Sequence, residues 1–185
     1  AAGGVITIID NAGEATSEGV EIDGRLAVND WLILGGNIAI LNAEYDSYPN
    51  GPCNRSGSTP AGTVPGTCNL KGEALPFAAD SSGSVYLDVD KQINDSLRFL
   101  ANVTVSFSDE YAVEGRNEPT LVQDSWTKVS GRIGLASTDD RWSVALIGQN
   151  LTDEETWLGG QPLFGYDLIY PAMPRTYSVQ AVVRF

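Results

Sequence analysis

Apolar and polar residues alternate with a period of two along most of this chain. The clearest stretch is SLRFLANVTVSFS, residues 96 to 108. Leu97, Phe99, Ala101, Val103, Val105 and Phe107 share one parity, while Ser96, Arg98, Leu100, Asn102, Thr104, Ser106 and Ser108 share the other. A β-strand sends successive side chains to opposite faces, so this stretch predicts a strand with one apolar and one largely polar face. Phe99 and Phe107 lie about 26 Å apart at roughly 3.3 Å per residue. That span approximates the apolar band of a membrane barrel, with an aromatic near each boundary.

The same alternation recurs elsewhere. Val20, Ile22, Leu26 and Val28 oppose Glu21, Asp23 and Arg25, and Val85, Leu87 and Val89 oppose Tyr86, Asp88 and Asp90. Val129, Ile133 and Leu135 oppose Lys128, Ser130 and Arg132. Trp142, Val144 and Leu146 oppose Ser143, Ala145 and Ile147, a weaker contrast. In the last strand Tyr177, Val179, Ala181, Val183 and Phe185 oppose Thr176, Ser178, Gln180, Val182 and Arg184. Segment 31–45 is apolar on both parities, and the pattern does not orient it. No window keeps a 3.6-residue period, so no helix is predicted. Seven strands are expected, at 16–28, 31–45, 82–91, 96–108, 125–137, 141–151 and 174–185.

The connections fall into two kinds. Those around Asn29-Asp30, at KQINDS and at STDDR are short, while 46–81, 109–124 and 152–173 are long and rich in Gly, Pro, Asn and Asp. Short turns at one end and long loops at the other is the pattern of an antiparallel transmembrane β-barrel, all-β in class. A soluble β-sandwich is the competing fold, but its inner faces carry large apolar side chains. Here the face opposite the apolar one mixes charges with Ser, Thr, Asn and Gly, as suits a wet interior.

The 185 residues suffice for one domain. Net charge is −13, which argues against a nucleic-acid partner. Histidine is absent, removing the commonest general base and zinc ligand. The longest uncharged run, WLILGGNIAILNA, is too short for a membrane helix. Residues 1 to 10 show no signal peptide, and the chain begins as though cut from something longer. Cys53 and Cys68 flank a loop-like stretch, NRSGSTPAGTVPGT. A disulfide there is the expectation, with two free thiols as the alternative. It would constrain the unfolded chain by about 3 kcal/mol and imply an oxidising compartment.

At residues 11 to 24, NAGEATSEGVEIDG resembles the N-x-G-x-A-x-x-x-G-x-E signature of TonB-dependent outer-membrane receptors, through Asn11, Gly13, Ala15, Gly19 and Glu21. LNAEYDSY (41–48) resembles the family's following strand as it rises into an extracellular loop. NLTDEETW (150–157) resembles the exit of the penultimate strand, and PRTYSVQAVVRF (174–185) resembles the closing strand. The resemblance implies that the chain is the C-terminal portion of a 22-stranded barrel in the outer membrane of a Gram-negative bacterium. Short turns would then be periplasmic and long loops extracellular, with residues 1–10 the tail of another loop. It also implies that Phe185 lies at the periplasmic rim, where barrel assembly machinery reads the C-terminus, and that Tyr177 lies towards the outer rim.

The resemblance further implies TonB-energised uptake of a scarce solute, of the siderophore, vitamin or oligosaccharide class. The plug domain, the N-terminal strands and the TonB-contacting motif are not in these residues. Expected partners are outer-membrane lipid, the remainder of the receptor and, through regions outside the chain, the TonB complex. Seven strands fall short of the roughly eight of the smallest single-chain barrels. An open sheet in lipid would leave about ten backbone groups unpaired at several kcal/mol each, more than a domain's 5–15 kcal/mol of stability. A passive porin, or a soluble carbohydrate-binding sandwich, are the rival functions.

No catalytic constellation appears, and neither an enzyme activity nor a cofactor is predicted. Asp153, Glu154 and Glu155 suggest either a calcium site or a solvated loop. Glu21, Asp23, Asp88 and Asp90 share the polar face, where they tune a solute's field or solvate the interior. N-x-[ST] tripeptides begin at Asn54, Asn94, Asn102 and Asn150, two of them inside strands. Trp126, Trp142 and Trp157 sit at expected strand ends, as an aromatic girdle requires, with ligand stacking an alternative for Trp157.

Overall fold

In a computed structural model of the chain, residues 13–163 and 165–185 are described. Asn11 and the segment 1–10 lie outside them. The described residues form eleven strands: β1 Glu14–Asn29, β2 Leu32–Ser47, β3 Ser81–Asn94, β4 Leu97–Ser108, β5 Tyr111–Ala112, β6 Val122–Gln123, β7 Trp126–Ser137, β8 Trp142–Gln149, β9 Trp157–Leu163, β10 Tyr166–Pro171 and β11 Thr176–Val183. Seven of these make one antiparallel sheet in the order β1-β2-β3-β4-β7-β8-β11. All seven predicted strands are present, and each differs from its expected bounds by at most three residues. The sheet is an open meander with β1 and β11 at its edges, and among the described residues it does not close into a barrel.

Three short turns share one chemical device. Trp31 N–H donates to Asn29 Oδ1 at 3.0 Å, Ser96 N–H to Asn94 Oδ1 at 2.9 Å, and Arg141 N–H to Asp139 Oδ1 at 3.2 Å. In each, an Asn or Asp side chain mimics a backbone acceptor two residues before the donor, which reverses the chain locally. Asp140 adopts φ 57°, a conformation that Asp tolerates better than most residues.

Register brings the separate parities together. One transverse row runs Leu26, Leu34, Leu87 and Val103, and another runs Leu32, Val89, Ala101, Ile133, Leu146 and Val179. These rows alternate with polar ones, such as Asp23, Asn37, Ser84, Ser106 and Lys128. Each oriented strand therefore turns its apolar parity to the same side of the sheet. The pairing also orients β2: Leu34, Ile38 and Ile40 join the apolar side, and Ile33, Asn37 and Ala39 the other. Along the apolar face Val20, Ile22, Val85, Ile133, Leu146 and Val179 are all exposed.

The buried core lies elsewhere. The largest fully buried side chains among the described residues are Leu70, Leu121 and Val113, all in the long connections between strands of the main sheet. Those connections also contain two hairpins that alternation did not predict, β5/β6 and β9/β10. The sequence WLGGQPL of β9 hides its strand behind two glycines and a proline. Gly160 is needed there because a Cβ would fall 2.9 Å from Leu121 Cδ2 and 3.2 Å from Val113 Cγ2.

Candidate functional site

The three long connections, 48–80, 109–125 and 150–175, come together as a cap at one end of the sheet. Its first segment is closed by a disulfide between Cys53 and Cys68, as expected, with Cα atoms 5.0 Å apart. Paired backbone bonds between Gly51 and Cys68, at 2.8 and 2.9 Å, continue that closure. Two residues beyond Cys53, Arg55 reaches both other segments. Its backbone N–H and Nε donate to Glu118 Oε2 at 2.8 and 3.3 Å, and its Nη2 donates to Thr120 Oγ1 at 3.2 Å and to Asp167. Glu118 is nearly sealed from solvent, so Arg55 supplies the charge that its carboxylate needs. Thr120 completes the triangle by donating to Asp167 Oδ2 at 2.7 Å.

Below this cap, where it meets the polar face, lies a hollow of about 940 Å³. Glu21, Asn37 and Ser84 contribute to its polar wall, and Phe77, Tyr111 and Trp126 line it with rings. Phe77 holds φ 62°, a rare conformation for a bulky side chain, and the residue is 55% exposed. Its N–H donates to Ala112 O at 2.8 Å, and its ring sits 6.2 Å from that of Tyr111. A strained, exposed aromatic held over a hollow is a candidate contact for a solute.

Trp126 corrects one expectation. It pairs with Ser108, which pairs with Ser82, so it belongs to the polar face and not to an outward girdle. Parity already carried the signal, because Trp126 shares it with Lys128, Ser130 and Arg132. Lys128 Nζ lies 5.0 Å from the Trp126 ring centre. Trp157 opens β9 within the cap, where its backbone N–H donates to Oε1 of the buried Gln123 at 2.7 Å.

The aromatics expected at the membrane boundaries, Phe99, Phe107, Trp142, Tyr177 and Phe185, share the apolar parity of their strands. Phe99 is in register with Leu135, Val144 and Ala181, and Phe185 stands four residues beyond Ala181. At the cap end, Val103 is in register with Gly131, Gly148 and Tyr177, and Phe107 stands four residues beyond Val103. The lines Phe99–Phe185 and Phe107–Tyr177 are therefore parallel and cross the strands at one slant. Trp142 falls on the first line, two residues past Val144. Trp31 sits in the turn at the same end, with Lys91 Nζ 4.9 Å from its ring centre.

Three of the acidic candidates, Asp88, Asp90 and Asp153, are engaged with their neighbours. Asp153 binds Arg175 at 2.9 Å, Asp88 accepts from Asn102 at 2.6 Å, and Asp90 holds Arg98 at 3.2 Å. Among the described residues no three His, Cys, Asp or Glu side chains converge as metal ligands do. Each asparagine of the four N-x-[ST] tripeptides is used locally. Asn54 donates to Ser58 at 3.0 Å, Asn94 accepts from Ser96, Asn102 donates to Asp88, and Asn150 bonds the backbone of Glu154 in both directions.

No protein-family model and no curated protein sequence matches the chain. Solved structures do. The ferric yersiniabactin uptake receptor FyuA of Yersinia pestis superposes on 95% of the chain with a TM-score of 0.75 and 16% identity. The siderophore receptor PiuA of Acinetobacter baumannii superposes on 91% with a TM-score of 0.64 and 15% identity. The fold is that of part of a receptor barrel wall. The chain spans about a quarter of each receptor's length, 24% and 22%.

Proposed function

We propose that this chain is the C-terminal part of a TonB-dependent outer-membrane receptor and supplies barrel wall and extracellular cap for energised solute uptake. The observation that carries this reading is the continuous exposed apolar face, assembled by register from seven strands and backed by a polar face. In water such a face would be an aggregation hazard, whereas in a bilayer it is the face that meets acyl chains. The two parallel aromatic lines support it. Four residues are about 13 Å and three strand spacings about 14 Å, so a membrane plane through the lines tilts the strands by about 43°. Transmembrane barrels tilt by roughly 35–45°. That tilt shortens the 26 Å between Phe99 and Phe107 along the strand to about 20 Å of height, a little under the usual apolar band of about 25 Å.

Phe99, Trp142 and Phe185 then mark the periplasmic boundary, and Phe107 and Tyr177 the outer one. A plug and further strands from the rest of the receptor fill and close the barrel, and TonB acts through those parts. The solute belongs to the siderophore class that the matching receptors are named for, and it first meets this chain at the hollow beneath the cap. The role is transport, not catalysis.

The test uses the complete receptor in cells. The protein should fractionate with the outer membrane, require detergent for solubility, and import labelled ferric siderophore only while the proton gradient stands. Import that persists after the gradient is dissipated would leave a passive porin. A protein monodisperse without detergent would end the membrane reading.

A further inference from the structure

The polar face carries one half-buried arginine that has no ion-pair partner among the described residues. Among the described residues, Arg98 and Arg132 are the half-buried arginines. Arg98 has Asp90 and Asp140 as ion-pair partners. Arg132 has no ion pair and no hydrogen bond among the described residues, and its Nε, like that of Arg98, is shut away from solvent without an acceptor. Its own sheet leaves it unserved. Asn102 and Ile147 flank it in register, Asp88 beyond Asn102 already accepts from that asparagine, and the Ser130 hydroxyl accepts from Asn150 N–H at 3.3 Å.

A guanidinium presents its donors in a planar fork that matches a carboxylate in a bidentate way. A donor on a charged group, buried without an acceptor, is costly enough to require an explanation. The acceptor has to approach from the polar side, because Arg132 lies mid-strand, away from both the cap and the short turns. Roughly three quarters of the matching receptors' length lies outside this chain, so protein is available to supply it.

We propose that Arg132 is a docking point for an Asp or Glu side chain carried by the segment of the complete receptor that lies against the polar side of this wall. The proposal rests on the barrel reading above. Residues 1–185 provide the cation, and the occupant of the lumen provides the anion. The contact holds that occupant in register with the wall.

A structure of the complete receptor in a bilayer, without added solute, provides the test. A carboxylate oxygen from outside residues 1–185 should lie within about 4 Å of the Arg132 guanidinium, the reach of a salt bridge. In the same protein, Arg132→Met should speed amide exchange of the acid-bearing segment about tenfold, while Arg132→Lys keeps most of the protection. A guanidinium facing only water, or one covered only after ferric siderophore is added, would overturn the assignment. So would exchange unchanged in Arg132→Met. A filled barrel with Arg132 unpaired refutes this assignment alone, whereas a complete protein that forms no barrel refutes the barrel reading with it.

Discussion

The wall and the cap are built from one chain by opposite means. In the wall, seven strands pair side by side, with the outer edges of β1 and β11 left open, yet their large apolar side chains remain exposed. Among the described residues, the buried apolar side chains of the wall strands are Ala43, Tyr45, Ala136 and Ala145. In the cap, regular pairing is brief, but Leu70, Leu121 and Val113 are buried, a disulfide closes the first segment, and Arg55 ties three segments together. The wall depends on its solvent for the worth of its apolar face. The cap is organised as a small water-soluble domain would be, with its own core. Burial of that kind stabilises in water, whereas exposed Val and Ile gain only when lipid replaces water.

The sharpest way to break this contrast is Leu121→Ala. Removing a fully buried leucine from the cap should cost about 3 kcal/mol. In the complete protein the loss should appear as faster amide exchange across 109–125 and 157–171, with the wall strands unchanged. Exchange that accelerates throughout β1 to β4 would show that cap and wall fold as one unit.

Val103→Arg attacks the other side. Val103 lies between the two aromatic lines on the apolar face, so a charge there should cost about 2–4 kcal/mol in a bilayer. Denaturant unfolding from lipid vesicles would register this loss. An effect below about 0.5 kcal/mol is what a water-exposed surface site would show, and would take the face out of the membrane.

Arg55→Met sharpens the cap alone. It strands the buried Glu118 carboxylate and frees Asp167, and since Arg55 is itself about a third exposed the cost should be about 2 kcal/mol. Proteolysis should then cut within 109–125 and 157–171 before any wall strand. Arg55→Lys should restore only part of the protection, because one ammonium cannot reproduce the fork.

The smallest effect belongs to a short turn. A hydrogen bond from Ser137, then that from the Arg141 backbone, hold the Asp139 carboxyl below its ordinary value. A depressed folded-state pKa contributes stability above the unfolded pKa that is lost as pH falls through the folded one. Protection of the Arg141 amide should therefore fade only in acid, and Asp139→Asn should abolish that pH dependence. Equal fading in the variant would assign it to another group.

Much of the wall was legible because alternation is a local property. The Cβ direction reverses at each residue of a strand whatever its neighbours are, so LANVTVSF reveals two faces unaided. The parity of β7 likewise puts Trp126 on the polar side with Lys128, Ser130 and Arg132, despite its position at a strand end. Segment 31–45 resisted because both its parities are apolar, and only pairing with Val20, Ile22 and Leu26 assigned its sides. The cap resisted more strongly. Arg55 meets Glu118 across 63 residues and Asp167 across 112, separations that no periodicity encodes.

The seven wall strands, the two-faced character of six of them and the places of the short turns were legible in the sequence alone, since each depends on chemistry within a few residues, and the disulfide was the expectation from a single loop. Tertiary structure decided the common side for all apolar parities, the slant of the aromatic lines, the joining of three loops through Arg55 and the isolation of Arg132. Those features arise from register and from contacts between distant segments, which exist only once backbone hydrogen bonds have aligned the strands.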